Sequence, residues 1–181
     1  MVRTGILLVL AFAPIMSDSL SQSGQSDKKK REVEASFKVA TDSFTTAIRG
    51  NDVSTVASFI FPTGLVLGHD RPETPRDQLL MELRSRSGFY FELFDGAGSD
   101  REWQRRYGHP PPTHLQSYKD LLTRPGRVSI VRDVVDPDED GHWWGTLTLK
   151  RRKPTDGLPT FYCFDFTRQS GRWYLRTIWA E

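Results

Sequence analysis

Cysteine is almost absent. Cys163 is the only one in 181 residues, so no disulfide within the chain can staple the fold. Long apolar runs are missing too: the stretch from Gly5 to Met16 contains Pro14 and is too short to cross a bilayer as a helix. Excess charge is missing as well. A net charge of +2 is too small for the electrostatic footprint of a nucleic-acid binder. The four histidines, His69, His109, His114 and His142, show no metal-ligand spacing. No Ser-His-Asp, Cys-His or phosphate-loop arrangement is visible, and no cofactor is expected.

What is present begins with an export layout. Arg3 precedes the apolar run, and small residues follow at Ser17, Ser19 and Ser21. The expectation is a signal peptide over 1–21, cut after Ser19 or Ser21, and a secreted or periplasmic product. Residues 22–30, "QSGQSDKKK", read as a disordered linker. A single domain over 31–181 follows.

Helical signals come first in that domain. Val33, Phe37, Ala40, Phe44, Ala47 and Ile48 recur at helical spacing. The basic run Lys28–Arg31 opposes the positive end of the helix dipole, which puts the firm start near Val33. Gly50 stops the helix, and Asp52 caps a short second one. "GLVLG", Gly64 to Gly68, reads as a brief strand. A third helix has Thr74 as cap, Pro75 as first residue and Gly88 as stop. "FYFELF", Phe89 to Phe94, is either a strand or the end of a buried segment. Ser99 with Glu102, and Thr113 with Gln116, form capping boxes for two short helices.

After Pro125-Gly126 the pattern alternates. Val128, Ile130 and Val134 share one strand face, and Trp143, Leu147 and Leu149 share another. Two further strand runs flank Ser170-Gly171. A two-residue turn there pairs Phe166 with Leu175, Phe164 with Thr177, Tyr162 with Trp179 and Arg168 with Trp173 on the core face. The other face pairs Cys163 with Ile178, Asp165 with Arg176, and Thr167 with Tyr174. The expected fold class is α+β: N-terminal helices packed on a curved antiparallel four-strand meander, cone-like.

Two stretches carry a family resemblance. "FTTAIRGNDVSTVASFIFPTGLVL" is a helix, a break, a short helix and a short strand, and "FDFTRQSGRWYLRTIW" is the closing hairpin. In this layout the chain resembles the nuclear transport factor two-like superfamily, also called the SnoaL or ketosteroid-isomerase-like fold. The resemblance implies a bent sheet wrapping a long helix, with a cavity between. It departs from the pattern at Phe89–Thr123, an inserted helical segment. Members include isomerases, dehydratases and noncatalytic binding modules, and no catalytic residue carries over.

Local chemistry is sparse. "DPDEDG", Asp136 to Gly141, opens like a calcium loop but has Leu147 where a bidentate glutamate belongs, so a solvated turn is the simpler reading. "DGAGSD" before a helix reads first as a flexible turn and second as an anion cradle. "KRRK", Lys150 to Lys153, fits either contact with an acidic polymer or a charged strand edge that resists aggregation. An arginine opposite Asp165 would make it a poor base. The expected function is noncatalytic binding of a small apolar ligand or a protein partner, a homodimer included. No metal, no nucleic acid and no membrane span in the mature chain are expected. The alternatives are an acid–base enzyme of the isomerase or dehydratase kind, or a structural domain with a filled core. Tyr90, Tyr107, Trp143, Tyr162 and Trp179 are the candidate ligand-binding residues, because aromatic walls with a few hydroxyls suit a flat apolar ligand.

Overall fold

The computed structural model describes residues 18–69, 71–111, 115–124, 126–153 and 158–181, with only the backbone of 18–25. The expectations for Thr113, for His114 and for most of the signal peptide fall outside the described residues.

Helix α1 runs from Asp18 to Gly50, 33 residues and about 50 Å of rise. The segment 22–30, expected to be disordered, therefore lies within a helix. The predicted apolar spacing supplies its buried stripe: Val33, Phe37, Phe44, Ala47 and Ile48 are buried. Thr41 and Thr45 share that stripe, and their hydroxyls donate back to the carbonyls of Phe37 and Thr41, each at 2.9 Å. A threonine can be buried there because it satisfies its own hydroxyl. Asp52 caps α2, Val53–Phe59, accepting from the Thr55 amide at 3.0 Å.

The segment after it departs from expectation in several places. Thr74 does not cap a helix: Glu73–Pro75 is strand β2, paired with β1, Gly64–Leu67. Helix α3, Arg76–Ser85, ends at Arg86 in the left-handed conformation, before Gly88. "FYFELF" is helix α4, Phe89–Phe94, burying Phe89, Leu93 and Phe94. Helix α5, Gly96–Tyr107, is capped by Asp95, not Ser99, and α6, Tyr118–Thr123, by a Ser117–Asp120 capping box. Gly96 and Gly98 are glycines for packing. A Cβ on Gly98 would collide with the Phe91 ring, and one on Gly96 would collide with the Leu115 carbonyl. The Gly98 amide donates to Asp95 Oδ1 at 3.0 Å, which caps one donor of the first turn of α5 within the chain.

The sheet has six strands, not four, in the order β2-β1-β6-β5-β4-β3. It is curved and mixed. The longer strands are β3 (Val128–Val135), β4 (Trp143–Arg151), β5 (Phe161–Gln169) and β6 (Arg172–Ala180). Strand β1 lies parallel to β6, with Val66 beside Thr177 and Leu67 beside Ile178. The inner face carries Trp143, Leu147, Leu149, Tyr162, Phe164, Phe166, Trp173, Leu175 and Ile178, all buried. Phe37 meets Phe166 and Trp173, with centroids 5.7 and 4.7 Å away, and Phe44 meets Phe164 and Phe166 at 5.5 Å. Gly145 lies under Phe37: a Cβ there would fall 2.8 Å from the ring.

The closing hairpin turns as expected, with Ser170 and Gly171 both at positive φ, the geometry of a tight two-residue turn. Phe166 pairs with Leu175 and Arg168 with Trp173. Beyond that the register shifts between Asp165 and Phe166. Arg176 is the extra residue of a β-bulge, so Asp165 faces Thr177, Phe164 faces Ile178, Cys163 faces Trp179 and Tyr162 faces Ala180. The expected Asp165–Arg176, Phe164–Thr177 and Tyr162–Trp179 pairs do not form. The reason is local: Arg176 lies over the Phe61 ring at 4.1 Å and reaches Glu73 at 3.5 Å, while the shift moves Ile178 into the core. Trp179 moves to the outer face. There it donates to Asp165 at 2.8 Å and stacks on His69, with centroids 4.7 Å apart.

Candidate ligand-binding cleft

The inner-face alternation of β4 runs on past Leu147 and Leu149 to Arg151, which puts this arginine on the core side of the strand end. Its amide donates to the Thr160 carbonyl at 2.9 Å, and Val128 pairs with it across β3. Helix α6 crosses this end, bringing Leu121 and, just before its start, Gln116. Between them is a cleft of about 720 Å³, lined by Gln116, Leu121, Gly126, Arg127, Arg151, Arg152, Lys153 and Leu158. Tyr118 of α6 packs on Tyr162 and Phe164, with centroids 5.7 and 4.8 Å away, and closes the core behind it. Burial pushes the Tyr118 phenol well above its ordinary value, so it acts as a neutral wall.

A second, smaller crevice of about 360 Å³ lies by the inserted helices, lined among others by Arg71, Glu92, Glu102, Trp103 and Tyr107. Desolvation by the surrounding protein raises the Glu92 carboxyl above the usual carboxylate range, with repulsion from Glu82 adding and Arg71 opposing. Its side chain still meets solvent, which limits the rise.

The five aromatic candidates are not gathered in one place. Tyr107 lines the smaller crevice, stacked on Trp103 at 4.5 Å. Tyr90 packs on Phe94 at 5.0 Å in α4. Trp143 and Tyr162 are buried on the inner face, and Trp179 is on the opposite face of the sheet. Asp165 has Thr146 and Trp179 as donors, at 2.7 and 2.8 Å, in place of the expected arginine. Two carboxylates of the acidic turn have partners within the chain: Asp136 pairs with Lys30 at 2.9 Å, and Asp138 accepts from the His142 amide and the Trp144 indole. Among the described residues no group of three or more acids, histidines and cysteines converges as a metal site, and no helix is long and apolar enough to cross a membrane.

Gln116 was not among the ligand-binding candidates, and Arg151 stood only within the basic run Lys150 to Lys153. The signal available was the period of two: Trp143, Leu147 and Leu149 project Arg151 to the same face.

No family model matches the chain, and no curated protein matches it. Solved structures are similar to it, these three among them. An NTF2-like protein from Cytophaga hutchinsonii has 11% identity and a TM-score of 0.39, covering 83% of this chain and 95% of its own. A function-unknown protein from Mycobacterium tuberculosis has 14% identity and a TM-score of 0.37, covering 86% and 74%. An NTF2-like protein of unknown function from Shewanella oneidensis has 12% identity and a TM-score of 0.38, covering 81% and 96%. The likeness is to the NTF2-like fold, in layout alone, and it carries no argument about what the cleft does.

Proposed function

We propose that this chain is an exported, noncatalytic domain that binds a small ligand in the cleft between α6 and the ends of β3 and β4. The observation behind this reading is the cleft itself. Its volume of about 720 Å³ lies in the range that holds small molecules, roughly 300–1,000 Å³. Leu121 and Leu158 supply apolar wall, and Gln116, Arg127, Arg151, Arg152 and Lys153 supply its polar side. Export is supported by the layout of Arg3, the apolar run and the serines after it.

An NMR titration of the whole chain with a mixed fragment set tests the cleft. Hits are expected to move the amides of Gln116, Leu121 and Leu158, and Leu158→Trp, which fills the space, is expected to abolish them. Hits that leave those amides still and survive Leu158→Trp would move the site elsewhere.

A second reading, acid–base catalysis, has one observation in its favour. Glu92 is a carboxyl with a raised pKa in a crevice, and no cation is hydrogen-bonded to it among the described residues.

A further inference from the structure

The run "KRRK" is not one solvated patch. Lys150 lies over the Phe161 ring at 5.4 Å, while Arg151 points to the inner face and only Arg152 and Lys153 stand free at the rim. Arg151 is 7% exposed. One of its terminal nitrogens donates to Gln116 Oε1 at 2.5 Å, and its guanidinium lies 5.8 Å from the Tyr162 ring centre. Its Nε–H is buried and has no hydrogen-bond partner among the described residues. Among the described residues no carboxylate pairs with Arg151, Arg127, Arg152 or Lys153.

Arg151 differs in this from three arginines elsewhere in the chain. Arg132, also on the inner side, is paired with Asp42; Arg176 has Glu73 and Arg101 has Asp95. A guanidinium stays charged in a protein, and burying it without an anion is costly. The Tyr162 ring offsets part of that cost but brings no net charge. Arg168 also has an unpartnered Nε, but its neighbours across the strands are Trp143 and Trp173, not further cations.

Resting on the small-ligand reading above, we propose that the cleft is an oxyanion site for a small organic phosphate ester. The phosphate sits against Arg151, ringed by Arg127, Arg152 and Lys153, and the organic part lies on Leu121 and Leu158. A phosphate ester carries about −1.5 to −2 charges at neutral pH, which balances this set better than a single carboxylate does. Its oxygens also match the fork of a guanidinium.

The test is a titration of the whole chain with phenyl phosphate, phenol, inorganic phosphate and a sulfated polysaccharide. It is followed by NMR at the Arg151 Nε–H and the amides of Leu121 and Leu158. Phenyl phosphate is expected to move all three signals. Inorganic phosphate should move the arginine signal with weaker affinity, and phenol should move none. Arg151→Met is expected to weaken phenyl phosphate about thirtyfold, since a charge-assisted pair is lost. The exposed rim change Arg152→Gln should weaken it only about threefold, an effect that salt removes. If Arg151→Met does not fold, the wild-type Nε–H signal decides. Phenol binding as tightly as phenyl phosphate would overturn the oxyanion site while leaving the small-ligand reading. Inorganic phosphate binding as tightly as the ester would overturn the organic part. Polysaccharide bound equally by wild type and Arg151→Met, with phenyl phosphate unbound, would overturn the proposal in favour of a surface patch. Silence of all three signals to every probe would overturn the oxyanion site, while the fragment titration decides the small-ligand reading separately.

Discussion

Glu92 is a carboxyl whose surroundings disfavour its charge while leaving it in reach of solvent. An acid with a raised folded pKa binds more protons in the folded state. Stability is therefore lost as pH rises from its unfolded value of 4.5 through the folded value. Glu92→Gln is expected to match wild type in urea midpoint below that value and to exceed it at neutral pH. The gain should be small, because the side chain is screened by water. A difference that does not change with pH would show that the carboxyl is not confined. At this scale the sequence was a poor guide. Arg151 was hidden in a basic run whose ordinary meaning is a solvated edge. Asp165 was assigned an arginine partner that a single extra residue takes away.

Gly145 fixes how closely α1 approaches β4. Phe37 occupies the space a side chain would need, its ring 2.8 Å from where a Cβ would stand, and Phe37 is itself fully packed between Phe166 and Trp173. Gly145→Ala is expected to cost about 1–3 kcal/mol by overpacking, read as a lower urea midpoint with an unchanged slope. Combining it with Phe37→Leu should cost less than the sum of the two single changes, since they share one contact. The elements with long periodic patterns were legible in the sequence: α1, β3, β4 and the hairpin turn. The short ones were not. Six residues such as "FYFELF" satisfy a strand and a buried helix equally, and here packing by Phe89, Leu93 and Phe94 decides. The Ser99 box yielded to Asp95, because close packing at Gly96 and Gly98 starts α5 one turn earlier.

For the molecule as a whole, the α+β class and the helix lying across a curved sheet followed from the change of period after Pro125-Gly126. The sheet's true width did not. "GLVL" is four residues long, and its partner Thr177–Ile178 lies more than a hundred positions away, with no local signature of a parallel pair. The cleft was equally hidden, because it is assembled from the ends of β3 and β4 and from α6. Export is the whole-molecule expectation still to be measured. The exported chain should begin at Leu20 or Gln22, inside the first turns of α1 and well before Val33, the start of its described buried stripe. N-terminal sequencing that finds Met1 on the exported chain would overturn it.

Strand β6 is the sixth strand in chain order and yet sits between the first and the fifth. It is the seam of the sheet: without it, β1 and β2 share no strand with β3, β4 and β5. A ribosome must therefore emit Arg172–Ala180 before the two halves can join, and until then the inner aromatic face has one side open. Secondary structure can form as the chain emerges, but the sheet closes late, through contacts of high sequence separation, and such closure is slow. From Leu67 until Arg172–Ala180 is made, the edge of β1 that β6 will cover stays unpaired, a span in which a holding chaperone has something to bind.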